Sequence, residues 1–196
     1  MGALFAVASY ALWQDGRYAI GQHMRCQDAM RNYADSVRVN AERFNLPPEY
    51  LMSLIMLECS GQKTPPARFE PKIYERLKSI YSTHRGSLEH VNYNVISNAT
   101  DGTLRNLASS WGPFQLMGYK CLPLGILVND LRGSADGRSV YWACKWIRSE
   151  YGKYLDEKQF EKAFRIHNTG RPDGQTHNPN YVGNGMKYVR YFSKRL

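Results

Sequence analysis

Apolar residues recur at helical steps over most of the chain. From Met24 to Phe44, Cys26, Met30, Tyr33, Val37, Ala41 and Phe44 are three or four apart with Arg, Asp and Glu between them, which predicts an amphipathic helix. "NLPPEY" interrupts it, and Pro47-Pro48 suits the first turn of a second helix that runs to about Cys59, with Gly61 as its stop. "KTPPARFEP" reads as a loop, and Ile73, Leu77, Ile80 and Tyr81 mark a third helix. Between Arg85 and Thr103, "HVNYNVIS" alternates loosely and "NATDGT" is turn chemistry, so a loop or short hairpin is expected. "SSWGPFQLM" (Ser109 to Met117) reads as a turn into a short buried helix. Ser139 to Tyr151 is helical, with Val140, Ala143, Cys144 and Ile147 on one face, and Asp156 is placed to cap a further helix through Phe160, Ala163, Phe164 and His167. "NTGRPDGQTHNPN" is a polar Gly/Pro loop, and a last helix begins near Tyr181. The sum predicts a mainly α fold with a small irregular or β-hairpin region in the middle.

The length of 196 residues with 43% hydrophobic content suits one well-cored domain. We expect it over residues 24–196, preceded by an apolar segment, 1–23. The charge-free run "GALFAVASYALW" is short for a membrane span, so a packed helix is expected, with a signal or anchor as the alternative. No stable membrane span is expected. A net charge of +9 favours a polyanionic partner: nucleic acid, an acidic membrane face, or an anionic polymer such as peptidoglycan. It is equally consistent with a protein kept soluble by its charge. The densest basic patch, "KYVRYFSKR", fits an amphipathic helix better than a nucleic-acid strip, so nucleic acid is not expected as a partner. Cys26, Cys59, Cys121 and Cys144 contain no CxxC pair and read as packed free thiols. The five histidines show no HxxxH or HExxH pairing, and neither G-x-G-x-x-G nor a P-loop occurs. No metal or cofactor is therefore expected.

One residue stands out against this pattern. In "LMSLIMLECSGQ", Leu51, Leu54 and Ile55 share a helical face with Glu58. Glu58 thus points where the apolar side chains point, at a helix C-terminus whose dipole disfavours negative charge. Desolvation and dipole both raise the carboxyl pKa toward neutrality, the condition a general acid requires. The competing reading is a Glu that turns outward and pairs with Lys63 or Arg68.

Five stretches resemble the lysozyme-like superfamily. "ECSG" resembles the Glu-Ser-Gly type signature in which that superfamily, including soluble lytic transglycosylases, carries its catalytic glutamate at a helix end. "SSWGPFQLMGY" resembles the Ser-Trp-Gly-x-Phe-Gln-x-Met-Gly segment of the phage and bacterial N-acetylmuramidase family. "RIHNTG" resembles its Tyr-Asn-x-Gly motif, and "NPNYVGNGMKYVRYF" the Tyr-Val helix that follows. "RFEPKIYERL" resembles that family's Phe-Glu helix start. The motifs keep the family's order from Leu51 to Phe192. The chain departs from the pattern with Cys59 for Ser, with Pro113 in the Gly box, and with His167 where Tyr is common.

The resemblance implies a single lysozyme-like domain that cleaves the β-1,4 bond between N-acetylmuramic acid and N-acetylglucosamine. Glu58 would be the acid. Glu70 would be the second carboxylate of a hydrolase, unless it is a structural helix-start carboxylate. In a lytic transglycosylase Glu58 alone would act as acid and base, giving 1,6-anhydro-muramyl products. Gln115, Ser110, Asn168, Tyr181 and His167 would line the saccharide groove. The alternatives are that Gln115 bonds the backbone near Glu58, Ser110 shapes the turn, Asn168 is a turn residue before Gly170, and Tyr181 packs. For His167, on the Phe160/Phe164 face, the alternative is a satisfied core histidine, the usual outcome there. Trp111 would stack on a sugar or fill the core. The implied partner is the peptidoglycan glycan strand, met by a monomer at the bacterial cell wall, in a phage-encoded or virion-associated setting. A wall- or nucleic-acid-binding protein without activity is the reading from a different class.

Overall fold

A computed structural model describes residues 2–133 and 137–196, with side chains from residue 21 onward. Helix α1 (Gly2–Phe44) runs unbroken into the domain and is followed by α2 (Pro48–Cys59). Strand β1 (Arg68–Phe69) leads to α3 (Pro71–Thr83), α4 (Tyr93–Ile96) and α5 (Asp101–Leu107). Strands β2 (Ser109–Trp111) and β3 (Leu116–Met117) then form a hairpin. The chain ends with α6 (Cys121–Leu124), α7 (Arg138–Asp156), α8 (Phe160–Thr169) and α9 (Tyr181–Phe192). None of the described helices is long and apolar enough to cross a membrane.

The organising element is α2. Pro48 at its first turn starts it, and every side chain from Tyr50 to Met56 is buried, with Ser53 returning its hydroxyl to the Glu49 carbonyl at 2.6 Å. So apolar a helix needs cover on all sides, and α1 and α9 supply most of it. Val37, Leu54, Ile147, Phe164 and Phe192 join α1, α2, α7, α8 and α9 in one core. A smaller core under α3, α4 and α5 gathers Tyr74, Leu77, Ile96, Leu104 and Leu107. The β2–β3 hairpin joins the two: Phe114 and Leu116 belong to the first core, and Met117 packs on the second. β2 lies in the middle of an antiparallel sheet, with Ser110 opposite both Arg68 of β1 and Met117 of β3.

The structure differs from the sequence pattern at four places. Ser109 to Met117 is a hairpin and not a turn into a helix. Gly112 (φ 71°) and Gln115 (φ 46°) both take left-handed backbone, and the Gln115 N–H closes the turn on the Gly112 carbonyl at 3.1 Å. The segment from Arg85 to Thr103 holds one bridge, Leu88 to Val91, then the whole of α4, capped by Asn92, and the start of α5, capped by Thr100. Asp156 ends α7 where a cap for α8 was expected; Gln159 takes that place, without a side-chain capping bond. Ser60 is the left-handed C-cap of α2, one residue before Gly61. The apolar run Gly2 to Trp13 falls where side chains are not described.

Candidate functional site

Glu58 lies in the last turn of α2 and faces inward, its side chain 11% exposed. The outward turn toward Lys63 or Arg68 does not occur. Tyr181, the first residue of α9, donates its hydroxyl to Glu58 Oε1. No hydrogen bond reaches Oε2 from the described residues. Among these residues, Gln159 Oε1 is the one sealed side-chain polar atom lacking a partner, so Glu58 Oε2 is not fully sealed from solvent. Burial pushes the Glu58 carboxyl up to about 7, against the opposing pull of the Tyr181 hydroxyl and the Arg68 guanidinium. The carboxyl therefore carries its proton below neutrality while one oxygen is not fully sealed.

Around it a run of polar groups is fixed by packing. Tyr50, also on α2, donates to Tyr151 across 3.4 Å. Tyr151 reaches that position because α7 breaks its helical backbone there (φ −143°, ψ 19°), turning the phenol under α8. The Tyr151 hydroxyl lies 2.9 Å from His167 Nδ1, and His167 Nε2 lies 3.0 Å from the Phe114 carbonyl. A carbonyl only accepts, so Nε2 bears the hydrogen and Nδ1 accepts from Tyr151. His167 is 4% exposed and burial lowers its pKa to about 4, so it is neutral beside Glu58, 4.0 Å from Oε1.

His167 also lines a cleft of about 700 Å³ between the hairpin, α7 and α8, together with Gln115 and Asn168. The Asn168 amide makes no hydrogen bond to the described residues and is open to a ligand. The Gln115 amide is committed: Oε1 accepts from Ser110 at 2.8 Å, and Nε2 donates to the Gly112 and Pro66 carbonyls. Ser110 and Gln115 thereby brace the hairpin against the chain leading to β1. Trp111 stacks under Arg132, with its indole N–H on the Asn106 carbonyl. Glu70 starts α3 half-exposed and pairs with Arg68, whose Nε lies 2.9 Å from Oε1.

The structure thus gathers Glu58, His167 and Tyr181, and brings Gln115 and Asn168 to the adjoining cleft. It ties Glu70 to the arginine that also acts on Glu58. Sequence reasoning missed Tyr50 and Tyr151, which only the break in α7 brings to His167. It also missed the Glu89–Lys120 pair in the cleft, where the ammonium lies 4.9 Å over the Trp146 ring. Among the described residues, no group of three His, Cys, Asp or Glu side chains is placed to hold a metal ion.

Neither a protein-family model nor a curated protein sequence matches the chain. Its fold does have a counterpart among solved structures. The crystal structure of a Burkholderia AP3 phage endolysin superposes with a TM-score of 0.58 at 18% identity, covering 82% of this chain and 70% of that one. The fold is the α-rich, lysozyme-like one. The small three-stranded sheet and the helices around α2 fit that architecture.

Proposed function

We propose that the protein is a peptidoglycan-degrading glycosidase in which Glu58 is the general acid, cleaving the β-1,4 bond between N-acetylmuramic acid and N-acetylglucosamine. One observation carries this reading: a carboxyl that burial keeps protonated to about pH 7, beside His167, which lines a cleft of about 700 Å³. The fold shared with a phage endolysin supports the substrate class. A wall-binding protein without activity has no use for so costly a buried acid.

In this mechanism the Oε2–H proton passes to the glycosidic oxygen as the bond from the anomeric carbon breaks, its electron pair staying on the leaving oxygen. The oxocarbenium-like centre is then captured by an oxygen nucleophile that gives up its own proton. In a hydrolase the nucleophile is water, activated by a second carboxylate, and Glu70 is that candidate. In a lytic transglycosylase it is the muramyl 6-hydroxyl, with Glu58 taking the proton back. The ion pair of Glu70 with Arg68 favours the second course, because the carboxylate is occupied by the guanidinium and would have to leave it to meet a water. Asn168 is proposed to bind an N-acetyl or carbonyl group of the sugar. Ser110 and Gln115 hold the cleft wall, and Tyr181 orients the acid.

Two measurements on purified murein test this. Glu58→Gln is expected to abolish lysis with the fold retained, and full activity in that variant sinks the assignment. Mass spectrometry of released muropeptides separates the mechanisms: reducing ends mean hydrolysis and anhydro-muramyl ends mean transglycosylation. Intact murein would return the protein to a binding role.

A further inference from the structure

His167 is a strange neighbour for an acid. It is too deeply buried to charge, it touches no group of Glu58 at hydrogen-bond distance, and its one N–H is already used by a backbone carbonyl. The carboxyl is faced by Tyr181 from α9, Arg68 from β1, Tyr50 from its own helix and Tyr151 from α7, with His167 above it on α8. Of these, only Tyr181 hydrogen-bonds Glu58. An acid that has given up its proton leaves a carboxylate whose inner oxygen, Oε1, meets one phenol and no other donor among the described residues, thin support for so buried a position.

We propose that His167 is a positioning residue for Glu58: its Nε2–H, now on the Phe114 carbonyl, is the donor that receives the carboxylate once Glu58 has given its proton away. This rests on the reading of Glu58 as the acid. The geometry is set for a small exchange. Tyr151 holds Nδ1, so the imidazole stays in the tautomer with hydrogen on Nε2 and cannot turn away. Glu58 Oε1 lies 4.0 Å from Nε2, so a closure of about 1 Å makes a normal bond. Charge decides the exchange. While Glu58 is protonated the carbonyl is the better acceptor, and once it is a carboxylate the charged oxygen is. No proton leaves the imidazole, and only the hydrogen bond changes partner. The Phe114 carbonyl precedes Gln115, so its release reaches the cleft wall through the hairpin turn. Histidine thus offers at this position a donor fixed by a second phenol.

The test compares His167→Phe, which removes the donor, with His167→Gln, which keeps an N–H. The Glu58 carboxyl is titrated directly by carbon-13 NMR, and kcat and KM are measured on murein, with a thermal melt confirming that each variant is folded. Loss of the donor is expected to raise the Glu58 midpoint by about one unit, because only the charged form loses a partner. It is also expected to lower kcat on the order of tenfold with KM nearly unchanged, the size of one hydrogen bond to a charged group. His167→Gln is expected to recover both. An unmoved midpoint in folded His167→Phe, or equal losses in the two variants, overturns the proposal. Should His167→Phe not fold, a Gln variant that titrates and turns over like wild type supports the donor role, and one that does not overturns it. The NMR titration needs no activity, so it separates this inference from the proposed function, which stands or falls with Glu58→Gln.

Discussion

Tyr181 shows how a single hydroxyl would set the working range of the proposed acid, Glu58. Its bond to Glu58 opposes the burial that raises the carboxyl, so Tyr181→Phe removes a brake. The alkaline limb of murein lysis, expected near pH 7 in wild type, should then move upward. The pH–rate profile checks this, and a limb that stays in place means that Tyr181 only packs against Phe164. Sequence spacing made Glu58 legible, since Leu51, Leu54 and Ile55 declare its face. Tyr181 and His167 became legible only through resemblance, because each meets Glu58 from a different helix. Tyr151 was illegible by any pattern: its place depends on an irregular backbone angle inside a helix. The cysteines are all free and buried, and burial pushes the Cys59 thiol up to about 11, so the residue after Glu58 is chemically quiet.

Among the elements, α2 carries the stability and the hairpin carries the shape of the site. Leu54 is fully buried in the larger core, so Leu54→Ala is expected to cost about 2–5 kcal/mol, read from urea unfolding. Gly112 presents a sharper case: its φ is 71°, and a Cβ there would collide with the Leu131 carbonyl oxygen. Gly112→Ala should therefore displace the turn that positions Gln115, costing more than about 1 kcal/mol and weakening murein lysis even where the fold persists. α2 was plain in the sequence because Pro47-Pro48 opens it and a long apolar run fills it. The hairpin was not, for a physical reason. Its strands are two and three residues long, too short for alternation to register, and Trp111, Phe114 and Met117 fall at helical steps. The small helices α4 and α5 were hidden likewise, being about one and two turns long with caps that resemble loop chemistry.

Across the whole molecule the general α-rich architecture followed from periodicity, whereas the division into two cores joined by a hairpin did not, since it depends on which faces meet. Its net charge of +9 predicts lysis that weakens as salt rises, because attraction to an anionic wall polymer is screened over about 8 Å at physiological ionic strength. Lysis unchanged between low and high salt would show that charge serves solubility alone. The buried pair Glu58 and His167 has another effect, visible in folding itself. Glu58 is raised from 4.5 to about 7, so its folded form holds a proton that the unfolded chain has lost, and its share of stability drains as pH rises through that range. His167 is lowered from 6.5 to about 4, so its share grows as pH rises from about 4 to 6.5. Each shift is worth roughly 3 kcal/mol, with opposite slopes. Between about pH 4.5 and 6.5 the two nearly cancel, leaving a flat stability curve from this pair. Glu58→Gln should then expose a stability that climbs with pH, and His167→Phe one that falls, both read from melting temperatures across that window. Folding at pH 5.5 amounts to an internal trade: the unfolded chain's imidazolium proton ends on the carboxyl, and solvent neither supplies nor receives one.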